Sequence, residues 1–167
     1  MIQLPPEETR FKKNVLTMAN AIHFGFLKLS ENGYKVMDIT KIELFIALLQ
    51  SKELDEHFLI TNFIEKSHKV WDKIKERDEI YFCNNASSIF DFLPADKVNI
   101  FKDLFLTVDQ QGVQVIGQTL KDQIWGLLDN MIKVSIKYLH KKRITNLNFL
   151  SDININHHIL IWQVVLN

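Results

Sequence analysis

Over most of this chain apolar positions recur at spacings of three and four, the period of an amphipathic helix. After Pro5-Pro6, the residues Phe11, Val15, Met18, Ala19, Ile22, Phe26 and Leu29 share one helical face. Glu7 and Glu8 precede them in the first turn, where they suit the positive end of the macrodipole, and Glu31-Asn32-Gly33 supplies a stop. A second, short helix is predicted from Thr40-Lys41-Ile42-Glu43, read as a capping box in which the Thr40 hydroxyl accepts from the third helical N–H while Glu43 reaches back. It carries Ile42, Phe45, Ile46 and Leu49, ends near Ser51, and is apolar enough to be expected buried. From Glu53 a long amphipathic helix is predicted, with Leu54, Phe58, Ile60, Phe63, Ile64, Val70, Trp71 and Ile74 apolar. Glu65 with Lys69 and Lys75 with Glu79 are its i, i+4 charge pairs.

Asp78 to Phe92 either continue that helix or turn into another, since Phe82, Ala86, Ile89, Phe90 and Leu93 keep helical spacing up to Pro94, which must end whatever precedes it. Asn84-Asn85 and Ser87-Ser88 are poor helix formers, so a bend is predicted around 84–88. Pro94 suits the first turn of a further helix with Val98, Phe101, Leu104 and Phe105 on its face. Thr107 to Gly117 reads as a loop with a short extended piece at Val113 and Val115. Thr119 is then expected to cap the clearest helix of all. Its stripe is Leu120, Ile124, Leu127, Met131, Val134 and Tyr138, widened by Leu128, Ile132 and Leu139, which places it at the centre of the core. Lys141-Lys142-Arg143 closes it with positive charge at the negative end of the dipole.

At Ile144 the pattern changes. All 20 basic residues lie before this point, and Asp152 is the only acidic or basic side chain, histidine apart, from 144 to 167. Asn146-Leu147-Asn148-Phe149 and Ile153-Asn154-Ile155-Asn156 alternate like strands, and 159–166 is rich in β-branched residues. A helix from Asp152 with Ile153, Leu160 and Val164 inward is the competing possibility. The expected architecture is therefore all-α: one helical domain of about six helices over residues 1–143, followed by an uncharged, irregular or extended tail or arm over 144–167.

Charge and chemistry narrow the function classes. Twenty Lys plus Arg balance twenty Asp plus Glu, which removes the electrostatic footprint of a dedicated nucleic-acid binder, so nucleic acid is not an expected partner. The N-terminus has neither a basic n-region nor an apolar core of a signal peptide, and no apolar run is long enough to span a membrane. With a single cysteine, this makes a soluble, intracellular chain the expectation rather than a secreted one. His157-His158 near Asp152, with His140 upstream, is the densest group of metal-type ligands. Adjacent histidines seldom converge on one ion, so no metal or cofactor is expected. Cys83 sits among Ile80, Tyr81, Phe82 and the acidic Asp78-Glu79, the setting of a buried structural thiol rather than a nucleophile. His23, His57 and His68 read as surface or half-buried helical residues, and Asp55-Glu56 and Asp78-Glu79 as solvated carboxylate pairs. No phosphate-binding or nucleophile-elbow motif occurs, and no enzymatic activity is expected.

What is left is interaction chemistry. Arg10 with Lys12-Lys13, and Lys137 with His140 to Arg143, are basic patches; Phe24, Phe82, Phe90 and Phe92 fall beside the main stripes and belong either to the core or to a docking surface. The partner-binding candidates are Phe149, Ile153, Ile155 and Trp162 in the tail, together with Lys141, Lys142 and Arg143.

Three stretches carry a resemblance: Ile-Glu-Lys-Ser-His-Lys-Val-Trp-Asp-Lys-Ile-Lys-Glu-Arg-Asp-Glu at 64–79, Leu-Pro-Ala-Asp-Lys-Val-Asn-Ile-Phe-Lys-Asp-Leu-Phe at 93–105, and Leu-Lys-Asp-Gln-Ile-Trp-Gly-Leu-Leu-Asp-Asn-Met-Ile-Lys-Val-Ser-Ile-Lys-Tyr-Leu-His-Lys-Lys-Arg at 120–143. Together they resemble small helical proteins of large DNA viruses that infect algae and protists, and the Ile, Asn, Lys and Phe usage suits an AT-rich genome of that kind. The resemblance implies a viral, virion-associated protein located in the host cytoplasm and the virion, assigns no catalytic residue, and does not extend into the tail. Composition and resemblance give two expectations: a non-enzymatic structural subunit of a larger assembly, such as a minor capsid protein, whose tail docks on protein partners, or a helical regulatory module that holds a protein or peptide in a groove. Removal of 144–167 is expected to preserve the helical circular dichroism while converting an assembled species to monomer in light scattering. Collapse of the helical signal would instead place the tail in the core.

Overall fold

A computed structural model describes residues 6–34, 39–89 and 100–142. Within them the chain is all-α, as expected, with six helical runs and no strand among the described residues. They are α1 (Glu7–Glu31), α2 (Ile39–Gln50), a third run of α3 (Glu56–Ser67) and α4 (Trp71–Lys75) joined by the 3₁₀ turn His68–Val70, then α5 (Glu79–Ile89), α6 (Ile100–Leu106) and α7 (Gln118–Lys141).

α1 and α7 are the long helices and pack most extensively on each other. Lys141 meets Glu7 at 3.3 Å at one end, and Leu120 lies against Gly25 at the other, so the two run antiparallel. Gly25 is there because α6 comes close: a Cβ would collide with the buried Leu104. The predicted stripe of α1 is buried, and so is that of α7 apart from the half-buried Leu120 and Leu127. α2 and α3 pack on α1, with Phe11 and Phe63 rings 5.2 Å apart. At the other end Phe82, Phe101, Phe105 and Trp125 stack with neighbouring centroids 4.8 to 6.4 Å apart, in the tilted and edge-on arrangements aromatic quadrupoles prefer. The loop between α6 and α7 contains the expected short extended piece, an antiparallel bridge between Val108 and Gln114. Asp109 Oδ1 organises it by accepting from the Gln111 and Val113 amides.

Several expectations are corrected. The break falls at Glu76–Asp78, not around Asn84–Ser88, and α5 runs on through the Asn and Ser residues. From Lys75 to Glu79 no apolar side chain offers a buried face, whereas Phe82, Cys83, Ala86 and Ile89 are all buried, and that burial outweighs the low propensity between them. Arg77 takes the left-handed conformation at φ 54°, Asp78 N donates to Lys73 O, and the Asp78 carboxylate accepts from the Tyr81 amide to start α5. Glu79, at the start of α5, pairs with Lys121 at 3.1 Å.

Thr40 and Thr119 are not caps either. α2 begins at Ile39 and α7 at Gln118 with Gly117 as N-cap, so both threonines lie inside first turns, and Glu43 faces His23 at 3.7 Å. α3 is capped by Asp55, whose carboxylate accepts from the His57 amide, a role beyond that of a solvated pair. α2 is buried on one face only, with Leu44 65% exposed, and on α3 Phe58 is 48% exposed while Leu59 takes the core position. His68 is buried rather than superficial: its Nδ1 bonds the Ile64 carbonyl at 3.0 Å, which makes Nδ1 the protonated nitrogen. Trp71 Nε1, just after the 3₁₀ turn, donates to Ser67 Oγ, just before it, at 2.8 Å and so ties its two sides together.

Met131 lies fully buried on the α1-facing stripe of α7. Met131→Ala is expected to cost about 2 to 5 kcal/mol in urea unfolding, and Leu127→Ala, at a half-buried position, less than that. Equal, near-neutral effects at both would remove α7 from the core.

Candidate functional site

The antiparallel pairing of α1 and α7 leaves a seam with two concavities. The first, of about 620 Å³, lies between the C-terminal half of α1 and the start of α7, lined by Thr17, Asn20, Ala21, Phe24 and Lys28 on α1 and by Ile116, Gly117, Thr119, Leu120 and Gln123. The second, of about 470 Å³, lies toward the other end, lined by Arg10, Lys13 and Asn14 on α1 and by Asn130, Lys133, Val134 and Lys137 on α7. The helical period builds both. Arg10, Lys13, Asn14, Thr17, Ala21, Phe24 and Lys28 fall along one strip of α1 at the helical period, and Thr119, Gln123, Asn130, Lys133 and Lys137, at gaps of four, seven, three and four, do so on α7. Each strip flanks the buried stripe of its helix.

The seam is sorted by charge. Five of its lining residues are basic, none is acidic, and no His or Cys is among them. The nearby carboxylates of α7 are engaged elsewhere: Asp122 and Asp129 lie 3.4 and 3.8 Å from the guanidinium of Arg77. Burial raises the Asp129 carboxyl above the usual range, against the pull of Arg77. The two concavities also differ from each other. The second holds four of the five cations, whereas the first is apolar at Ala21, Phe24, Ile116 and Leu120, with Phe24 61% exposed.

The partner-binding residues read from the sequence fall elsewhere. Phe149, Ile153, Ile155, Trp162 and Arg143 lie outside the described residues, as do the tail as a whole and the His157-His158 pair. Lys141 and Lys142 are exposed at the end of α7, where Lys141 Nζ reaches Glu7 at 3.3 Å and Lys142 Nζ lies 5.7 Å from the Tyr138 ring centroid. Of the two basic patches, Arg10 and Lys13 do join a concave surface with Lys137, but through Asn14, Asn130 and Lys133, which the sequence reading did not single out. The signal available for them was the period of polar residues on α7, at 119, 123, 130, 133 and 137.

Two other clusters hold titratable groups. Lys121 is a buried ammonium that donates to Glu79 at 3.1 Å and to Gln114, with its Nζ 5.5 Å from the centroid of Phe105. These bonds pin α5 and the connecting loop to α7. Cys83 is buried beside them and donates to the Phe101 carbonyl; burial, with Glu79 adding to it, pushes the thiol up to about 12, far from a thiolate at neutral pH. Among the described residues no group of His, Cys, Asp and Glu is placed to hold a metal ion, and no helix is long and apolar enough to cross a membrane. No protein-family model, characterised protein or solved structure matches the chain.

Glu7 closes the basic end of the seam, bound to Arg10 at 3.2 Å and Lys141 at 3.3 Å. Burial alone would raise its carboxyl, but a backbone hydrogen bond, Lys141 and Arg10 together hold it below its ordinary range. A carboxyl lowered in the folded state contributes stability above its unfolded pKa, and that contribution is lost as pH falls through the folded value. Glu7→Gln is therefore expected to lower the urea midpoint at neutral pH, and the difference should shrink below about pH 4. A difference that stays constant into acid would mean that Glu7 acts through packing alone.

Proposed function

We propose that this chain is a non-enzymatic interaction subunit that holds a segment of a partner protein along the α1/α7 seam. The observation that carries the reading is the chemistry of the seam itself. Its two concavities are lined by amide, hydroxyl, ammonium, guanidinium and apolar groups, with no carboxylate, imidazole or thiol among them. Such groups can recognise a chain and fix its register. Of the two expectations from the sequence, this is the helical module with a groove. An amphipathic segment laid between two helices is a recurrent mode of peptide recognition.

A second reading, a minor capsid or virion-associated subunit working in the host cytoplasm and the virion, is supported by the resemblance at 64–143 and by the near-absence of charge after Arg143. The two are compatible, because the first rests on the seam and the second on the resemblance and on the composition of 144–167.

Panning a random peptide library on the immobilised full chain tests the seam reading. Enriched peptides are expected to compete with one another and to lose binding to Asn130→Trp, which plugs the seam at an exposed position while leaving the circular dichroism unchanged. Enriched peptides that bind that variant as well as the unaltered chain would place the interaction surface elsewhere.

A further inference from the structure

The two ends of the seam differ in kind, and that difference describes what fits between them. We infer that the seam takes an acidic, amphipathic peptide segment, with its carboxylates at Lys13, Lys133 and Lys137 and its apolar side chains against Phe24 and Leu120; this rests on the seam being the binding surface. On α1, Lys13 and Phe24 are eleven residues apart, about 16 Å along a helix. A bound segment bridges that distance with about five extended residues or about three turns of helix.

Charge complementarity sets the acidic half. Four of the five cations crowd one concavity with no carboxylate among its lining residues, in a chain whose formal net charge is zero. Of these, Arg10 is already committed to Glu7, which leaves the three lysines for a ligand. An ordinary neutral surface interleaves the two signs; here the acids of α7 are drawn away by Arg77. Asn14 and Asn130 lie among the lysines and add amide donors for carboxylate oxygens or for a peptide backbone. The apolar half follows from the other concavity, where Phe24 stands 61% exposed beside Ala21, Ile116 and Leu120. An aromatic ring left in water beside a recess is the kind of anchor that a partner's side chains cover.

The same asymmetry argues against a nucleic-acid strand. A polynucleotide presents a charge at every step, while the first concavity offers one cation, Lys28, to meet it. A peptide can be acidic along one stretch and apolar along the next.

Fluorescence anisotropy with the full chain tests this with three labelled probes. They are a peptide of about fourteen residues with glutamates in one half and leucines in the other, its counterpart with glutamine for every glutamate, and an oligothymidylate of similar length. The glutamate peptide is expected to bind and to weaken as sodium chloride is raised. Lys133→Glu with Lys137→Glu should weaken it by at least about tenfold, and Phe24→Ala should weaken it without altering the salt dependence. All three positions are at least partly exposed, so unchanged circular dichroism and melting temperature are the control for folding. If the glutamine peptide binds as tightly and remains sensitive to Phe24→Ala, the seam holds peptides but the acidic assignment is overturned. If the oligothymidylate binds more tightly than the glutamate peptide, the occupant is nucleic acid. If no peptide binds, or binding ignores all three substitutions, both the acidic assignment and the seam reading fail.

Discussion

The antiparallel contact between α1 and α7 is the constraint on which the rest of the structure depends. These are the two longest helices among the described residues, they are remote in sequence, and each presents an apolar stripe too wide to be satisfied by one neighbour. α1 therefore also carries α2, α3 and α6, while α7 receives α4 and, through Trp125 and Lys121, the aromatic cluster and the ion pair that tie in α5 and α6. Isolated helices of this kind are marginal in water, and burial of the shared face is what makes them persist. The two ends hold the register differently: Glu7 pairs with Lys141 at one, and Gly25 admits the apolar side chains of Leu104 and Leu120 at the other.

The seam follows from that contact. Two helices in register along their buried stripes bring together the strips that flank those stripes, and here the strips are basic and amide-bearing at one end, apolar at the other. Charge is sorted across α7 as well, with Asp122 and Asp129 facing Arg77 and Lys133 and Lys137 lining the seam. The strained backbone of Arg77, at φ 54°, is held where its guanidinium reaches those carboxylates. One residue thus ends α4, joins it to α7 and helps keep acidic charge engaged away from the seam.

Much of the fold was legible in the chain, because helices declare themselves through local period. The stripes of α1 and α7, the buried Phe101, Leu104 and Phe105 of α6 and the loop before α7 lie where the spacing put them, while Pro94 and Val98 lie outside the described residues. Boundaries were harder to read. A new helix from Asp78 was one of two possibilities in the spacing, and the five polar residues from Lys75 to Glu79, with no face to bury, favour it; the low propensity of the Asn and Ser residues of α5 pointed instead to a bend that burial overrides. Thr40 and Thr119 looked like caps because their sequence suits one, yet each helix starts one residue earlier. The seam was not legible, since nothing local states that residue 13 faces residue 133. Basic charge at Lys141 and Lys142 is visible in the sequence because it is contiguous; the dispersed Lys13, Lys133 and Lys137 come together only after folding.

The account makes the seam, rather than the exposed apolar residues of α2 and α3, the surface that meets a partner. Backbone amide shifts of the isotope-labelled full chain, followed by NMR while the glutamate–leucine peptide is added, test that claim most directly. The account predicts that the largest changes trace two lines, around Asn14, Thr17 and Phe24 on α1 and around Gln123, Asn130 and Lys133 on α7. Changes centred instead on Leu44, Leu48 and Phe58 would contradict it and move the interaction surface to the opposite flank of α1.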